Sequence, residues 1–225
     1  MAEHSDFERD PLRRLRHTLT FVYALEFGTP EQVQSVIRMV NGAHAPVRSD
    51  GRDGEGVAYD ATDPALQVWV AATLYATALQ LSTRFLGPLS ESTLDTVYRE
   101  YAVIGSALQM PESAWPADRA AFEVYWNAQV AALSVDDTTR RVAHTLLHAK
   151  NVPWWIRVGL PLLRLVTAGL LPPGIRGQYR MPWSPARERR FSRAMTALGV
   201  VNRVLPRAVR HLPKTLLLAG LSRHA

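Results

Sequence analysis

The chain of 225 residues is long enough for one large domain, and its hydrophobic fraction of 47% and charged fraction of 20% are typical of globular proteins. It contains no cysteine, which excludes disulfides, thiolate-ligated metal sites and iron–sulfur clusters. The formal net charge is +6, and Lys150 and Lys214 are the only lysines, so arginine supplies most of the positive charge. We predict a single domain over residues 1–225.

The N-terminal sequence has no basic segment followed by an apolar one, so we predict no secretory signal. The most apolar stretch, residues 158–173, is interrupted by Pro161 and Arg164 and is shorter than the ~20 residues of a membrane-spanning helix. We therefore expect a cytoplasmic protein, and peripheral contact with a membrane stays open.

The N-terminal part of the chain predicts a pair of helices. Apolar residues recur at helical spacing from Pro11 to Gly28, and a second helix begins after Thr29 with Pro30 at its first position. His44 comes at the end of the apolar face of this second helix, which is formed by Val33, Val36, Ile37 and Val40.

The middle of the chain predicts a loop and then a long helix. Residues 48–58 contain three glycines and no periodicity, which indicates an exposed loop. Asp63 and Pro64 begin a helix that is apolar nearly all round as far as Leu86, so we expect it to lie at the centre of the fold.

The rest of the sequence also follows helical periodicity. Helices are predicted near residues 91–108, 136–147, 154–171, 187–204 and 207–221, with a break at residues 172–174. Another helix, which carries Phe122, Tyr125 and Trp126, is predicted after the turn-rich link that ends at Pro116. No stretch alternates strictly enough for a strand. The prediction is an all-α, bundle-like domain of about eight or nine helices without a sheet.

Two groups of residues could bind a cofactor. His44 is an imidazole on an aliphatic face, which suits a metal ligand but also an ordinary hydrogen-bonded histidine. Arg14, His17 and Thr18 project from one face of the first helix and could hold an anion or lie over a bound oxygen; a solvated basic turn is the alternative.

Other patterns are weaker. His144 and His148 have the spacing of a metal pair but lack a further ligand motif, and we interpret the six tryptophans as core and boundary packing. An anion-binding or membrane-surface face is best supported by the C-terminal arginines, Arg187, Arg189, Arg190, Arg203, Arg207 and Arg210. Hydrolase and nucleotide-binding motifs are absent from the sequence.

Read in order, several short motifs resemble the MpaB-type oxygenase family, which includes the latex clearing protein, or rubber oxygenase, catalytic domain. The resemblance runs from about Ser5 to Pro213. It is carried by these pieces: His4-Ser5-x-Phe7, Asp10-Pro11, Arg14-Leu15-x-x-Thr18, Phe27-Gly28, His44-Ala45-x-Val47-Arg48, Tyr59-x-Ala61-x-Asp63-Pro64, Trp69-Val70, Tyr98-x-Glu100, Met110-Pro111, Trp115-Pro116 and Leu170-Leu171-Pro172.

The resemblance implies an all-helical fold with a pocket for haem b, and dioxygen chemistry on a small hydrophobic substrate. By motif position, His44 is the expected iron ligand, with Arg14, His17 and Thr18 on the opposite side of the haem as catalytic residues. Arg14 and Arg48 are expected to contact the cofactor. Nucleic acid is not an expected partner, and a homodimer stays open.

The sequence departs from the family pattern at three places. Rubber-cleaving relatives have a lysine at the position of His17, and many members have a histidine where this chain has Ala71. The family's first helical segment, which carries a glutamate proposed as a base in rubber oxygenases, is expected to be missing before residue 1. The missing segment and Ala71 keep one alternative open, a catalytically impaired helical protein that binds haem or lipid. The basic charge and the C-terminal arginines keep open a second, a basic protein that binds membranes or nucleic acid.

Overall fold

The computed structural model describes residues 11–49, 59–107, 110–149 and 152–221. Most of the predicted loop at residues 48–58 therefore lies outside the described residues, as do the motif residues before position 11. Nine helices of the described part correspond to the predicted ones: α1 (Pro11–Phe27), α2 (Pro30–His44), α3 (Pro64–Leu86), α4 (Glu91–Ser106), α5 (Arg119–Ala132), α6 (Asp137–Leu147), α7 (Trp154–Leu170), α9 (Pro185–Val204) and α10 (Arg207–Leu221).

A tenth, short helix, α8 (Pro173–Gln178), follows the predicted break, because Pro173 takes the first helical position of a new turn. Within the described residues, extended structure is limited to β1 (Arg48–Ser49) and β2 (Tyr59–Asp60), which pair antiparallel, and one 3-10 turn covers Glu112–Ala114. The all-α prediction is confirmed.

The predicted helix starts are stabilised by side-chain caps. Thr29 and Gln32 form a reciprocal capping box at the start of α2, with hydrogen bonds of 3.4 and 3.0 Å. Asp63 accepts a 2.8 Å hydrogen bond from the backbone of Ala65 at the start of α3, next to Pro64. Local sequence therefore determines where these two helices begin.

Helix α3 is central, as its all-round apolar character predicts. It packs against α4, α9 and the 3-10 turn. On one side Tyr75 contacts the rings of Tyr98, Trp115 and Phe122 in edge-to-face geometry. The Tyr98 hydroxyl donates a 2.6 Å hydrogen bond to the carbonyl of Pro116, and burial raises the pKa of Tyr98 well above its ordinary value.

A second buried cluster joins α1, α2 and α4 through Phe21, Ala24, Val36 and Ile104. Leu74 of α3 and residues of α10 pack around it. Tyr101 contacts both clusters, and burial together with the nearby Glu26 raises its pKa to about 12. The α1–α2 pair is therefore attached to the central helix through α4 and Leu74.

Of the C-terminal helices, α9 packs on α3, α7 lies against α9, and α10 packs on α1 and α2. The Phe191 side chain of α9 is fully buried against Gly169 of α7. The packing prediction was wrong for Trp154 and Trp155, which are 75% and 63% exposed. An apolar helix sequence does not specify which of its sides a neighbour covers. Among the described helices, each is too short or too polar to cross a membrane.

Two glycines of α7 allow a matched test of this packing. A Cβ atom at Gly169 would lie 2.6 Å from Cγ of the Phe191 ring, whereas a Cβ at Gly159 would meet nothing within 4 Å. We expect Gly169→Ala to lower the free energy of unfolding by about 1–3 kcal/mol through overpacking. Gly159→Ala should instead raise it by up to about 1 kcal/mol through helix propensity. Urea unfolding measures both, and equal effects would contradict the tight α7–α9 contact.

Candidate functional site

The α1–α2 hairpin places the beginning of α1 beside the end of α2. The turn at Gly28 is tight: a Cβ atom there would lie 2.5 Å from the carbonyl oxygen of Ala24. The two helices pack through Phe21 and Val36, which share one buried cluster. Toward the end of the hairpin opposite the Gly28 turn, the helix faces that carry Phe21 and Val36 continue with polar side chains.

On α1, His17 and Arg14 precede Phe21 by four and seven residues, so helical geometry places them on the same face as that buried ring. On α2, His44 follows Val36 by eight residues and continues its face in the same way. Both faces are apolar within the cluster and polar beyond it. The hydrophobic core of the hairpin therefore gives way at this end to the polar side chains of Arg14, His17 and His44.

Helix α3 contributes a further polar side chain near this end, that of Gln67. The carbonyl of Val47, just after α2, accepts a 3.1 Å hydrogen bond from the backbone of Ala61, just before α3. Gln67 lies on the same α3 face as Leu74, about two turns closer to this connection. Gln67 is only 4% exposed, and its Oε1 atom has no hydrogen-bond partner within the described residues. An amide oxygen in this state is costly for the fold.

His44 has the properties of a neutral, partly desolvated imidazole. Burial and, to a smaller extent, the positive charge of Arg14 lower the pKa of His44 below its ordinary value of 6.5. Its Nδ1 atom is buried and has no partner among the described residues. A neutral imidazole with an unpartnered nitrogen has a donor or lone pair left for an external group.

Of the predicted site residues, the structure brings Arg14 and His44 close enough to interact electrostatically. His17 and Thr18 are exposed on α1, and the Thr18 hydroxyl donates a 3.1 Å hydrogen bond to the backbone carbonyl of Arg14. That bond commits the hydroxyl proton and leaves the oxygen as an acceptor. For Arg48, the structure describes the backbone alone, where the residue pairs with Asp60 in the short ladder.

His144 and His148, at the C-terminal end of α6, form a histidine pair that is separate from this site. The rings of His144 and His148 stack with centroids 4.1 Å apart, and His148 Nδ1 lies 3.0 Å from the carbonyl oxygen of His144. Across the described ranges, no group of three His, Asp or Glu side chains is placed to hold a metal ion. The pair therefore lacks a third protein ligand in the part of the chain that the structure describes.

Gln67 is the site residue that sequence reasoning missed. Its signal was present, since it is a polar residue in the otherwise apolar stretch that leads into Trp69 and Val70. A polar residue near a helix start is ordinarily an exposed one, and only the packing of α3 shows that Gln67 is buried.

Comparison with known proteins identifies the family. The profile of the family described as "ER-bound oxygenase mpaB/B'/Rubber oxygenase, catalytic domain" matches residues 1–200. The chain belongs to this MpaB/rubber oxygenase family. The predicted resemblance is thus confirmed, and the domain is of the oxygenase type.

Two mycobacterial proteins are similar to this chain over most of its length. The chain is 34% identical over 199 residues to "Uncharacterized protein Mb2261" of Mycobacterium bovis and "Uncharacterized protein Rv2237" of Mycobacterium tuberculosis. Each alignment covers 88% of this chain and 77% of the relative. No solved structure matches the chain significantly.

The family departure at Ala71 has a structural counterpart. Ala71 is fully buried, and a Cβ atom on Gly105 of α4 would lie 3.6 Å from the Ala71 Cβ. The neighbouring space is filled by the Met110 side chain, whose Sδ atom would lie 2.7 Å from that same added Cβ. An imidazole at position 71 would need this space, so the alanine accompanies a locally close packing of α3 on α4.

The lowered pKa of His44 predicts a pH dependence of the protein's stability. Below pH 6.5 the unfolded chain takes up a proton that folded His44 resists, so the free energy of unfolding should fall as the pH drops from about 7.5 to about 5.5. His44→Gln should flatten this fall, whereas His148→Gln on exposed α6 serves as the control. Equal slopes in wild type and His44→Gln, measured by urea unfolding, would refute the assignment.

The unpartnered oxygen of Gln67 predicts that this residue is not retained for stability. Gln67→Leu removes a buried polar group of similar size and should leave the free energy of unfolding unchanged or raise it. Tyr98→Phe, which removes the satisfied 2.6 Å bond to Pro116, should lower it by about 1 kcal/mol. A loss in Gln67→Leu as large as in Tyr98→Phe would mean that Gln67 has a structural role.

Proposed function

We propose that this protein is a haem b-dependent oxygenase that acts with dioxygen on a small hydrophobic substrate, with His44 as the protein ligand of the iron. The observation that supports this most directly is the neutral His44 imidazole with a buried, unpartnered nitrogen at the open end of the hairpin. Membership of an oxygenase family supplies the reaction type.

The residues at the site fit a haem. A porphyrin provides four nitrogen ligands itself, so the protein needs to contribute only one or two axial side chains. His44 can be such a ligand because its lowered pKa keeps the imidazole neutral near pH 7. Arg14, which lies near enough to affect that pKa, carries the positive charge that a propionate would require. Arg48 follows α2 closely in sequence and is proposed as a second cation for the cofactor.

A haem bound here would supply the binding and activation of dioxygen. The protein residues would hold the cofactor, orient the substrate and shield both from water. The His17 imidazole could donate a hydrogen bond toward dioxygen or the substrate, whereas the neighbouring Thr18 hydroxyl could do so only by giving up its bond to the Arg14 carbonyl. Gln67 would offer a buried amide to the same space from α3.

The decisive test is the absorption spectrum. Protein reconstituted with haem should show a Soret band that His44→Ala shifts or abolishes, because the axial ligand is lost. His148→Ala, at an exposed histidine on α6, should leave the band unchanged. Circular dichroism confirms that both variants remain helical. If the band is identical in wild type and His44→Ala, a residue other than His44 is the iron ligand.

Turnover separates an oxygenase from a haem carrier. With apolar alkenes as substrates and haem occupancy matched, wild type should consume oxygen, and Arg14→Gln should lower the rate by about 10²-fold or more if its charge stabilises the reacting oxygen. Arg99→Gln, on exposed α4, is the matched control. A protein that binds haem through His44 but consumes no oxygen would support the carrier hypothesis instead.

A further inference from the structure

The charges of this chain are divided sharply along its length. Residues 1–137 contain 19 of the 20 carboxylates but only 10 of the 26 arginines and lysines. The remaining 88 residues contain 16 arginines and lysines and the single carboxylate of Glu188, a formal charge of +15. A charge asymmetry of this size along the sequence favours an anionic partner for the C-terminal elements.

The same cationic half exposes large apolar side chains on α7. Trp154, Trp155, Val158 and Leu162 fall within about 100° of the helix circumference, so they form one face. Trp154, Trp155 and Val158 are 75%, 63% and 73% exposed. A shallow hollow open to solvent lies between Trp154, Arg157 and Val158. Helix α9 covers the C-terminal part of α7, where Gly169 packs against Phe191, and Leu160 is buried on the side of α7 away from this apolar face.

We propose that this face of α7 docks the protein on the surface of an anionic lipid bilayer. Tryptophan and aliphatic side chains beside arginine are the composition of helices that lie in the membrane interface, with the apolar face in the acyl boundary and the cations at the head groups. Arg157 flanks the face directly, and α7 contains no carboxylate. The contact is peripheral, in keeping with a described fold whose helices are each too short or too polar to cross a bilayer.

The charge of this region favours a lipid bilayer as the partner of the α7 face over a second copy of the chain or nucleic acid. A second copy of the chain, paired symmetrically through this face, would bring two strongly cationic halves together. Nucleic acid would satisfy the arginines but would leave the valine and leucine of the face without an apolar partner. A bilayer with anionic head groups satisfies both the charge and the apolar surface.

The experiment is co-sedimentation of the purified full chain with two kinds of vesicle. One is phosphatidylcholine alone, and in the other about a third of the lipid is phosphatidylglycerol. We expect binding to the anionic vesicles, weaker binding to the neutral ones, and a decrease as salt is raised. The readout is lipid-bound protein, so it is independent of whether His44 ligates a haem.

Two exposed valines give a matched pair of variants. Val158 on α7 and Val124 on α5 are 73% and 72% exposed, and both lie in helices. Val158→Glu should lower the affinity for anionic vesicles by at least about tenfold, and Val124→Glu should leave it unchanged. Trp154→Ser with Trp155→Ser tests the same face without adding charge and should also cost about tenfold or more. All three changes are at exposed positions, and circular dichroism checks their folding.

Three results would overturn the proposal. The first is equal vesicle affinity of wild type, Val158→Glu and the double tryptophan variant. The second is a stable dimer in analytical ultracentrifugation that Val158→Glu dissociates, together with no binding to vesicles. The third is salt-sensitive binding to duplex DNA with no binding to anionic vesicles.

Discussion

Tyr75, near the middle of α3, is in edge-to-face contact with four aromatic rings, those of Tyr98, Tyr101, Trp115 and Phe122. These contacts follow from the apolar character of α3 around its circumference, because such a helix is stable in water only when other elements cover it. Helix α4 and the 3-10 turn cover one side, and α9 covers another. The positions of the remaining helices depend on this arrangement.

The α1–α2 hairpin is joined to the packed α3 and α4 helices through a small number of contacts. Ile104 of α4 packs with Phe21 and Val36, and Leu74 and Tyr101 border the same cluster. Because the cluster occupies only part of each helix, the faces of α1, α2 and α3 extend beyond it toward one end. At that end they carry Arg14 and His17, His44, and Gln67 in place of apolar residues.

Buried polar groups without partners reduce stability, so each one that a fold retains points to a role other than stability. His44 Nδ1 and Gln67 Oε1 are two of the three such atoms within the described residues, and the third is Trp115 Nε1 in the aromatic cluster. The proposed cofactor site and the proposed membrane face lie on different elements. The first is formed by the N-terminal helices, and the second lies on α7 in the cationic half, so substitutions can address each separately.

Sequence alone determined the class of the fold and most of its elements. Helical periodicity, proline at first helical positions and caps such as Thr29 and Asp63 are local signals, and they located nine of the helices of the described part. The short motifs were likewise enough to indicate the family and to single out His44 and Arg14. The short helix α8 was not predicted, because Pro172, Pro173 and Gly174 at its start also indicate a break between helices.

Only the tertiary structure decided which faces of these helices are covered. Helical spacing placed His44 at the end of an apolar stripe, but its lowered pKa depends on burial and on Arg14 from another helix. The burial of Gln67 and the exposure of Trp154 and Trp155 run against the ordinary preferences of these residue types. Burial is set by neighbours distant in sequence, and periodicity within one helix carries no information about where those neighbours pack.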